Sequence, residues 1–241
     1  MLDKLITEKT LENLAGAGSF QRGNAYFSAG SVGPLRDTGK KVSARVDLVI
    51  AYLQRRRNDE AMHLTWLQFE ERPSLTQYKK LHAVAEQLGI WPEQRERALA
   101  RVAEVIADQA AFTLLWQSKP APPYYSLRLE IALWENDLDA AWTAVHAGNC
   151  NQGLLIALAG QLEPTRPNDA LILYKRMIPS IVDQTNNTAY ADAVRLIGKV
   201  GEIMNSQKRN REFDDYIAEL RARFKLKRNF IKLLNEVGNP A

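Results

Sequence analysis

Apolar positions along the chain follow two periods, and the change between them falls near residue 46. Leu5, Leu11 and Leu14 predict a short helix over residues 3–15, stopped by Gly16 and Gly18. The stretch FQRGNAYFSAGSVGPL, residues 20–35, is rich in glycine and aromatics and reads as a compact turn module. Residues 42–46, VSARV, alternate apolar and polar side chains, as in a strand with one buried face. From Asp47 the period becomes about 3.6, that of an amphipathic helix. A first helix, a polar break at Arg56–Asp59 and a second helix account for the chain through Phe69. Ser74, with Gln77 three residues on, is spaced as a capping box, and Leu75, Tyr78, Leu81, Ala85 and Leu88 then line one helical face. Gly89 ends that helix and Pro92 opens the next, whose apolar side is Leu99, Val102, Ala103 and Ile106.

Residues 117–125, QSKPAPPYY, make the strongest break after residue 46, because Pro120, Pro122 and Pro123 exclude helix. Further helices are expected over 125–135, 138–147, 151–162, 168–184, 188–205, 210–224 and 226–237. Pro179 is expected to kink its helix or end it early.

A weak internal repeat runs through these helices. RRRNDEA (55–61), ENDLDAAW (135–142) and TRPNDAL (165–171) each place a polar Asn/Asp turn before a small residue, with QKRNREFDDY (207–216) as a looser copy. Ala61, Ala140 or Ala141, and Ala170 are the small residues that let paired helices approach closely. Stacked pairs of this kind bury each other's apolar faces, giving an irregular, tetratricopeptide-like α-solenoid. A simple helical bundle is the competing architecture. The expected fold is therefore all-α with a small N-terminal α/β segment.

Composition narrows the functional classes. Hydrophobic residues make up 46% and charged residues 25% of 241, a balance that supports a buried core. The start, MLDKLITEKTLENLAG, is amphipathic and lacks the apolar run of a signal peptide. With no apolar run long enough for a membrane span, the chain reads as cytoplasmic and free of membrane.

Candidate chemistry is sparse. His146 and Cys150 stand four apart, but two ligands do not make a zinc site and Gly148 falls between them. His63 and His82 lie among apolar helix residues, and nothing in the sequence supplies Cys150 with an activating base. GAGSFQRG neither follows a strand nor opens into a phosphate-binding GK[ST]. The pairs of acids in ENDLD and FDD suit helix caps. The five tryptophans sit where helices pack, with one or two free to line a groove. No catalytic residue, cofactor or metal is implied.

Charge is more informative. The net charge of +4 is unevenly placed, since residues 208–232 hold nine Lys or Arg against Glu212, Asp214, Asp215 and Glu219. Within YIAELRARFKLKRNFIKLL, the bases Arg221, Arg223, Lys225, Lys227, Arg228 and Lys232 alternate with Phe224, Leu226, Phe230, Leu233 and Leu234. The apolar members are expected to dock a capping helix, while the bases suit nucleic acid or an acidic partner.

The residues Arg22-Gly23-x-x-Tyr26-x-x-x-Gly30-x-Val32, with Leu35, Gly39 and Val42-x-Ala44-x-Val46, resemble the start of bacterial SWIM zinc-finger proteins. The later chain looks like the helical region of those proteins in FEERPSLTQYKKLHAVAEQLGIWPEQRERAL, LWENDLDAAW, TNNTAYADAVRLI and LRARFKLKRNFIKLL. The resemblance implies a C-x-C then C-x-H ligand set after the strand at 42–46. This chain runs there into Asp47-Leu48-Val49, and its single cysteine is Cys150, so none of the four ligands is present. The finger has been lost naturally or the chain is internally shortened. The domain reading is a SWIM-type remnant over 1–46 and a helical-repeat region over 47–241. Function is expected to be that of a non-catalytic scaffold for protein–protein interaction; the alternative is a nucleic-acid-associated protein using the basic C-terminal helices.

Overall fold

The structure, a computed structural model, describes residues 36–37, 42–43, 48–116 and 122–237. The expected helix over 3–15 and the turn module over 20–35 lie outside these residues. Val42–Ser43 (β2) pairs antiparallel with Arg36–Asp37 (β1), with Arg36 opposite Ser43 and Asp37 opposite Val42. The rest of the described chain is helical. Backbone packing divides it into two units, Met1–Val102 and Ala103–Ala241.

In the first unit, α1 (Leu48–Gln54), α2 (Asn58–Glu71) and α3 (Leu75–Gln87) pack in chain order, and α4 (Trp91–Trp116) begins there. Its core is an aromatic chain: Trp66 meets Phe69 edge-on at 5.7 Å, Phe69 meets Tyr78 at 6.2 Å, and Tyr78 meets Trp91 at 5.3 Å. The Trp66 indole N–H donates to Gln94 Oε1 at 2.6 Å, which satisfies the polar edge of a buried ring. The buried side of α4 runs through Ala98, Val102 and Ile106; of the expected row, Val102 and Ile106 are buried, while Leu99 is half-buried and Ala103 exposed. Spacing of four along a helix sets this stripe more strictly than the bulk of one leucine.

The caps of α3 follow their residues closely. Ser74 Oγ accepts from the Gln77 backbone N–H at 3.3 Å. Gln77 Oε1, which would accept from the Ser74 N–H, is buried without a partner among the described residues, so the capping box forms by half. At the other end Gly89 takes φ +73, letting Ile90 N–H reach Ala85 O at 3.0 Å.

The second unit holds α5 (Ser126–Trp134), α6 (Leu138–Ala147), α7 (Gln152–Leu162), α8 (Pro167–Val182), α9 (Asn187–Ser206), α10 (Asn210–Arg223) and α11 (Arg228–Val237). Each packs on its neighbours in the chain, and α11 packs on α9. Leu158, Leu162, Leu173, Ile178, Ile181 and Ile197 are fully buried between them. The helix holding Pro179 does not stop there but ends at Val182. Proline is tolerated so late because one turn remains, and burial of Ile178, Ile181 and Val182 holds that turn in place.

Three helix pairs share one turn. Arg56, Asn136 and Lys208 adopt φ of +55, +57 and +60. The next residue donates its N–H five positions back, from Arg57 to Tyr52 O (2.9 Å), Asp137 to Ala132 O (2.9 Å) and Arg209 to Met204 O (2.8 Å). Those donors are also the N-caps of α2, α6 and α10, so one residue closes a helix and opens the next. Four residues into the second helix, Ala61 and Ala141 are fully buried. The last pair reverses the fit, since a Cβ on Gly201 would lie 2.8 Å from Cζ of Phe213. The copy at 165–171 departs from this geometry: Arg166 N–H bonds Leu162 O at 2.7 Å, four positions back. It matches from the cap onward, with Ala170 fully buried. In three copies the N-cap arginine clasps an acid three residues later, Arg57–Glu60 (2.6 Å), Arg166–Asp169 (2.6 Å) and Arg209–Glu212 (2.7 Å).

The proline-rich connector is laced onto the α6–α7 turn. Tyr125 N–H donates to Asn149 O at 2.7 Å, Asn149 N–H to Pro123 O at 2.8 Å, and Asn151 N–H to Ser126 Oγ at 2.7 Å. Gly148 permits this approach, because a Cβ there would stand 2.2 Å from Pro123 O.

Candidate anion-binding hairpin

All six bases singled out in the sequence fall on the α10–α11 hairpin. Arg221 and Arg223 occupy the last turn of α10, where cations complement the carbonyl end of a helix. Lys225 and Lys227 lie in the connecting turn, closed by the Lys227 N–H to Phe224 O at 2.8 Å. Arg228 opens α11 and Lys232 follows four residues later on the same side. Helix α11 begins at Arg228, two residues later than its pattern suggests, because this turn occupies Lys225–Lys227.

Apolar side chains hold the hairpin. Phe230 and Leu234 are 0% exposed, and the Phe230 ring lies 5.6 Å from Phe224 and 5.9 Å from Tyr190 on α9. Asn229 Nδ2 donates to Asn187 Oδ1 at 3.0 Å, fixing the start of α11 against the start of α9. Arg221 Nε donates to Asn235 Oδ1 at 3.1 Å, tying α10 to α11. The expectation that every apolar member docks fails at Leu226, which is 86% exposed at the tip of the turn, between Lys225 and Lys227. A three-residue turn leaves no partner surface beneath it.

The electrostatics of the hairpin differ from those of several other basic sites. Arg97 faces Glu70 at 3.1 Å, Arg166 faces Asp139 at 2.8 Å, and Lys199 faces Glu163 and Glu202 at 3.6 and 3.4 Å. Between Glu219 and Glu236 there are six bases and no acid. Among the described residues none of the six forms an ion pair, and five are exposed while Lys227 is half-buried. The neighbouring clasp shows the contrast. Its hydrogen bond to Arg209 holds the Glu212 carboxyl below the usual carboxylate range. Burial of Lys175, whose ammonium sits 4.5 Å from the centre of the Tyr216 ring, holds its pKa below the ordinary lysine value.

The other candidate groups are not brought together. His146 Nδ1 lies 2.8 Å from Trp142 O, and its ring packs at a tilt against Trp142 at 4.4 Å. Cys150 lies beyond the end of α6, its thiol directed to Ala144 O at 4.0 Å. The His82 ring packs on Trp91 at 4.7 Å, and its Nε2 is 4.0 Å from Glu86. His63 lines a shallow depression with Tyr52, Leu64 and Leu67. Among the described residues no three His, Cys, Asp or Glu side chains gather as a metal-binding group, and no helix is long and apolar enough to cross a membrane.

Leu226 and the carboxylate-free gap are the features that sequence reading passed over. The gap was visible as an absence of Asp and Glu, whereas the exposure of Leu226 depended on where α11 begins. The geometry stands without a family to place it in: no protein-family model matches the chain, and no curated protein or solved structure matches it.

Proposed function

We propose that this chain is a non-catalytic helical-repeat scaffold for protein–protein interaction, an irregular α-solenoid of tetratricopeptide-like helix pairs. The observation that carries the reading is the recurring turn, in which one residue ends a helix by a backbone bond five positions back and caps the next. Units joined in this way stack through their apolar faces and leave a continuous outer surface for a helix or extended peptide. The resemblance of residues 22–46 to a SWIM module fits a repeat region that has outlived its zinc-binding half. Affinity capture from nuclease-treated and untreated extract tests the reading. A defined partner protein retained after nuclease is expected; loss of every partner on nuclease treatment contradicts it.

A second reading, association with nucleic acid through the C-terminal helices, is favoured by the carboxylate-free hairpin. Heparin retention tests it at the level of charge. Replacing Arg223, Lys227 and Arg228 with Gln should lower the eluting salt well below that of a control with Lys79, Lys80 and Arg211 replaced. Equal shifts would reduce the effect to net charge and overturn this reading.

A further inference from the structure

We infer that the α10–α11 hairpin is a contact for the phosphate backbone of duplex DNA, with Leu226 as the tip that enters a groove. The inference rests on the nucleic-acid reading and names its mode.

The aromatic members decide against single strands. Single-stranded nucleic acid is held by bases stacking on exposed aromatic rings. Here Phe224 and Phe230 are buried at 5% and 0% exposure, pair with each other, and hold the helix in place. What remains outside is cationic, and cations read phosphate. An acidic peptide fits less well, because an interface draws much of its affinity from a few anchors in desolvated pockets. Phe224, Phe230 and Leu234 are already committed to the core. A membrane surface needs a broad apolar face or a lipid chain, and one leucine supplies neither.

The placement of the bases favours a dense, rigid polyanion. Duplex DNA carries a charge about every 1.7 Å of its axis, so each phosphate neutralised releases counterions. Phe230, Leu234 and the Asn229–Asn187 bond fix the hairpin, so the cations are presented in a set arrangement. Arg228 stands in the first turn of α11, where the helix dipole disfavours a cation and no acid offsets it. Helix stability therefore gives no account of that charge, whereas a phosphate ligand does. Leu226 projects between Lys225 and Lys227, so cations gripping flanking phosphates would bring it to the groove between them, as apolar wedges do in minor-groove binders.

The test is fluorescence anisotropy with a mixed-sequence DNA duplex of about 20 base pairs, the matching single strand, and polyglutamate as competitor, across about 0.05–0.3 M salt. Six phosphate contacts predict a log–log salt slope near −5 for the intact protein. The Arg223→Gln/Lys227→Gln/Arg228→Gln variant should bind roughly tenfold or more weakly, with the slope reduced by about 2.7. Leu226→Ala should weaken duplex binding several-fold and leave the slope unchanged. Circular dichroism and urea titration confirm that these surface variants remain folded. Failure of duplex, single strand and heparin alike to bind would overturn the nucleic-acid reading and this inference together. Polyanion binding that falls in the triple variant, yet is stronger for single strand or displaced equally by polyglutamate, would overturn only the duplex mode. Unchanged binding by Leu226→Ala would remove the groove contact.

Discussion

Replacing Phe230 with alanine separates the support of the hairpin from its charge. The side chain is fully buried and touches aromatic rings on both sides, Phe224 and Tyr190. Truncation of such a phenylalanine costs about 3–5 kcal/mol, as lost burial plus a cavity. The rest of the grip of α11 is one fully buried leucine, Leu234, worth about 1.5–3 kcal/mol, with Ile231 and Leu233 half-buried and the Asn229–Asn187 and Arg221–Asn235 hydrogen bonds beside them. A helix of ten residues is marginal in water on its own. The loss removes the largest single contribution to docking of α11, and the expected result is local undocking before any global unfolding. In hydrogen exchange, amides of α11 should lose about 10²–10³-fold protection, since 1.4 kcal/mol is a factor of ten. Amides of α8, which packs on α7 and α9, should keep theirs. Anion binding should fall as well, although no charge has changed. Protection of α11 that survives the substitution would refute the reasoning, as would loss in step across α8 and α9.

Gly198→Ala and Gly201→Ala should have opposite signs in urea titration. A Cβ on Gly198 meets nothing within 4 Å, so helix propensity should stabilise by about 0.5–1 kcal/mol; Gly201→Ala drives a Cβ to 2.8 Å from the Phe213 ring and should destabilise by about 1–2 kcal/mol, relieved by Phe213→Leu. Gly148→Ala cannot keep the connector in place against Pro123 O; the two backbone bonds at Asn149 should be lost at about 1–3 kcal/mol, read as faster exchange of the Tyr125 amide with α8 unaffected. Burial holds the Cys150 thiol above its ordinary pKa of 9.0. Thiolate is then scarcer in the native protein, so alkylation should be slower than in the unfolded chain at any pH near 8 and its midpoint should lie higher. The linked stability is complete below pH 9.0 and drains away as pH rises through the native value, because the unfolded thiol ionises first.

Helix boundaries were legible wherever a side chain performs the cap. Ser74, Asp137, Asn151 and Asn186 each accept from a backbone N–H of the first turn, and the helices that follow begin within a residue of where their patterns place them. The shared turn was only half legible. Asparagine tolerates positive φ and marks Asn136 as a turn residue, but Arg56 and Lys208 carry no such preference and take it through the backbone bond that follows them. Arginine at an N-cap is equally silent, since Arg57, Arg166 and Arg209 act on the acid three residues on and not on a backbone N–H. For the hairpin, the charges could be read directly. The burial of Phe224 and Phe230, and hence the exclusion of stacking, could not, because bases flank both rings and mask the apolar face. Position of the turn decides which of Phe224 and Leu226 faces inward, and that is a tertiary outcome.

Lysine footprinting with a DNA duplex tests most directly whether the α10–α11 hairpin is a working surface. Acetylation rates at Lys225, Lys227 and Lys232 should fall on duplex addition, while those at Lys79, Lys80 and Lys199 stay as they were. Protection spread evenly over all six lysines, or confined to Lys79 and Lys80, would contradict the account.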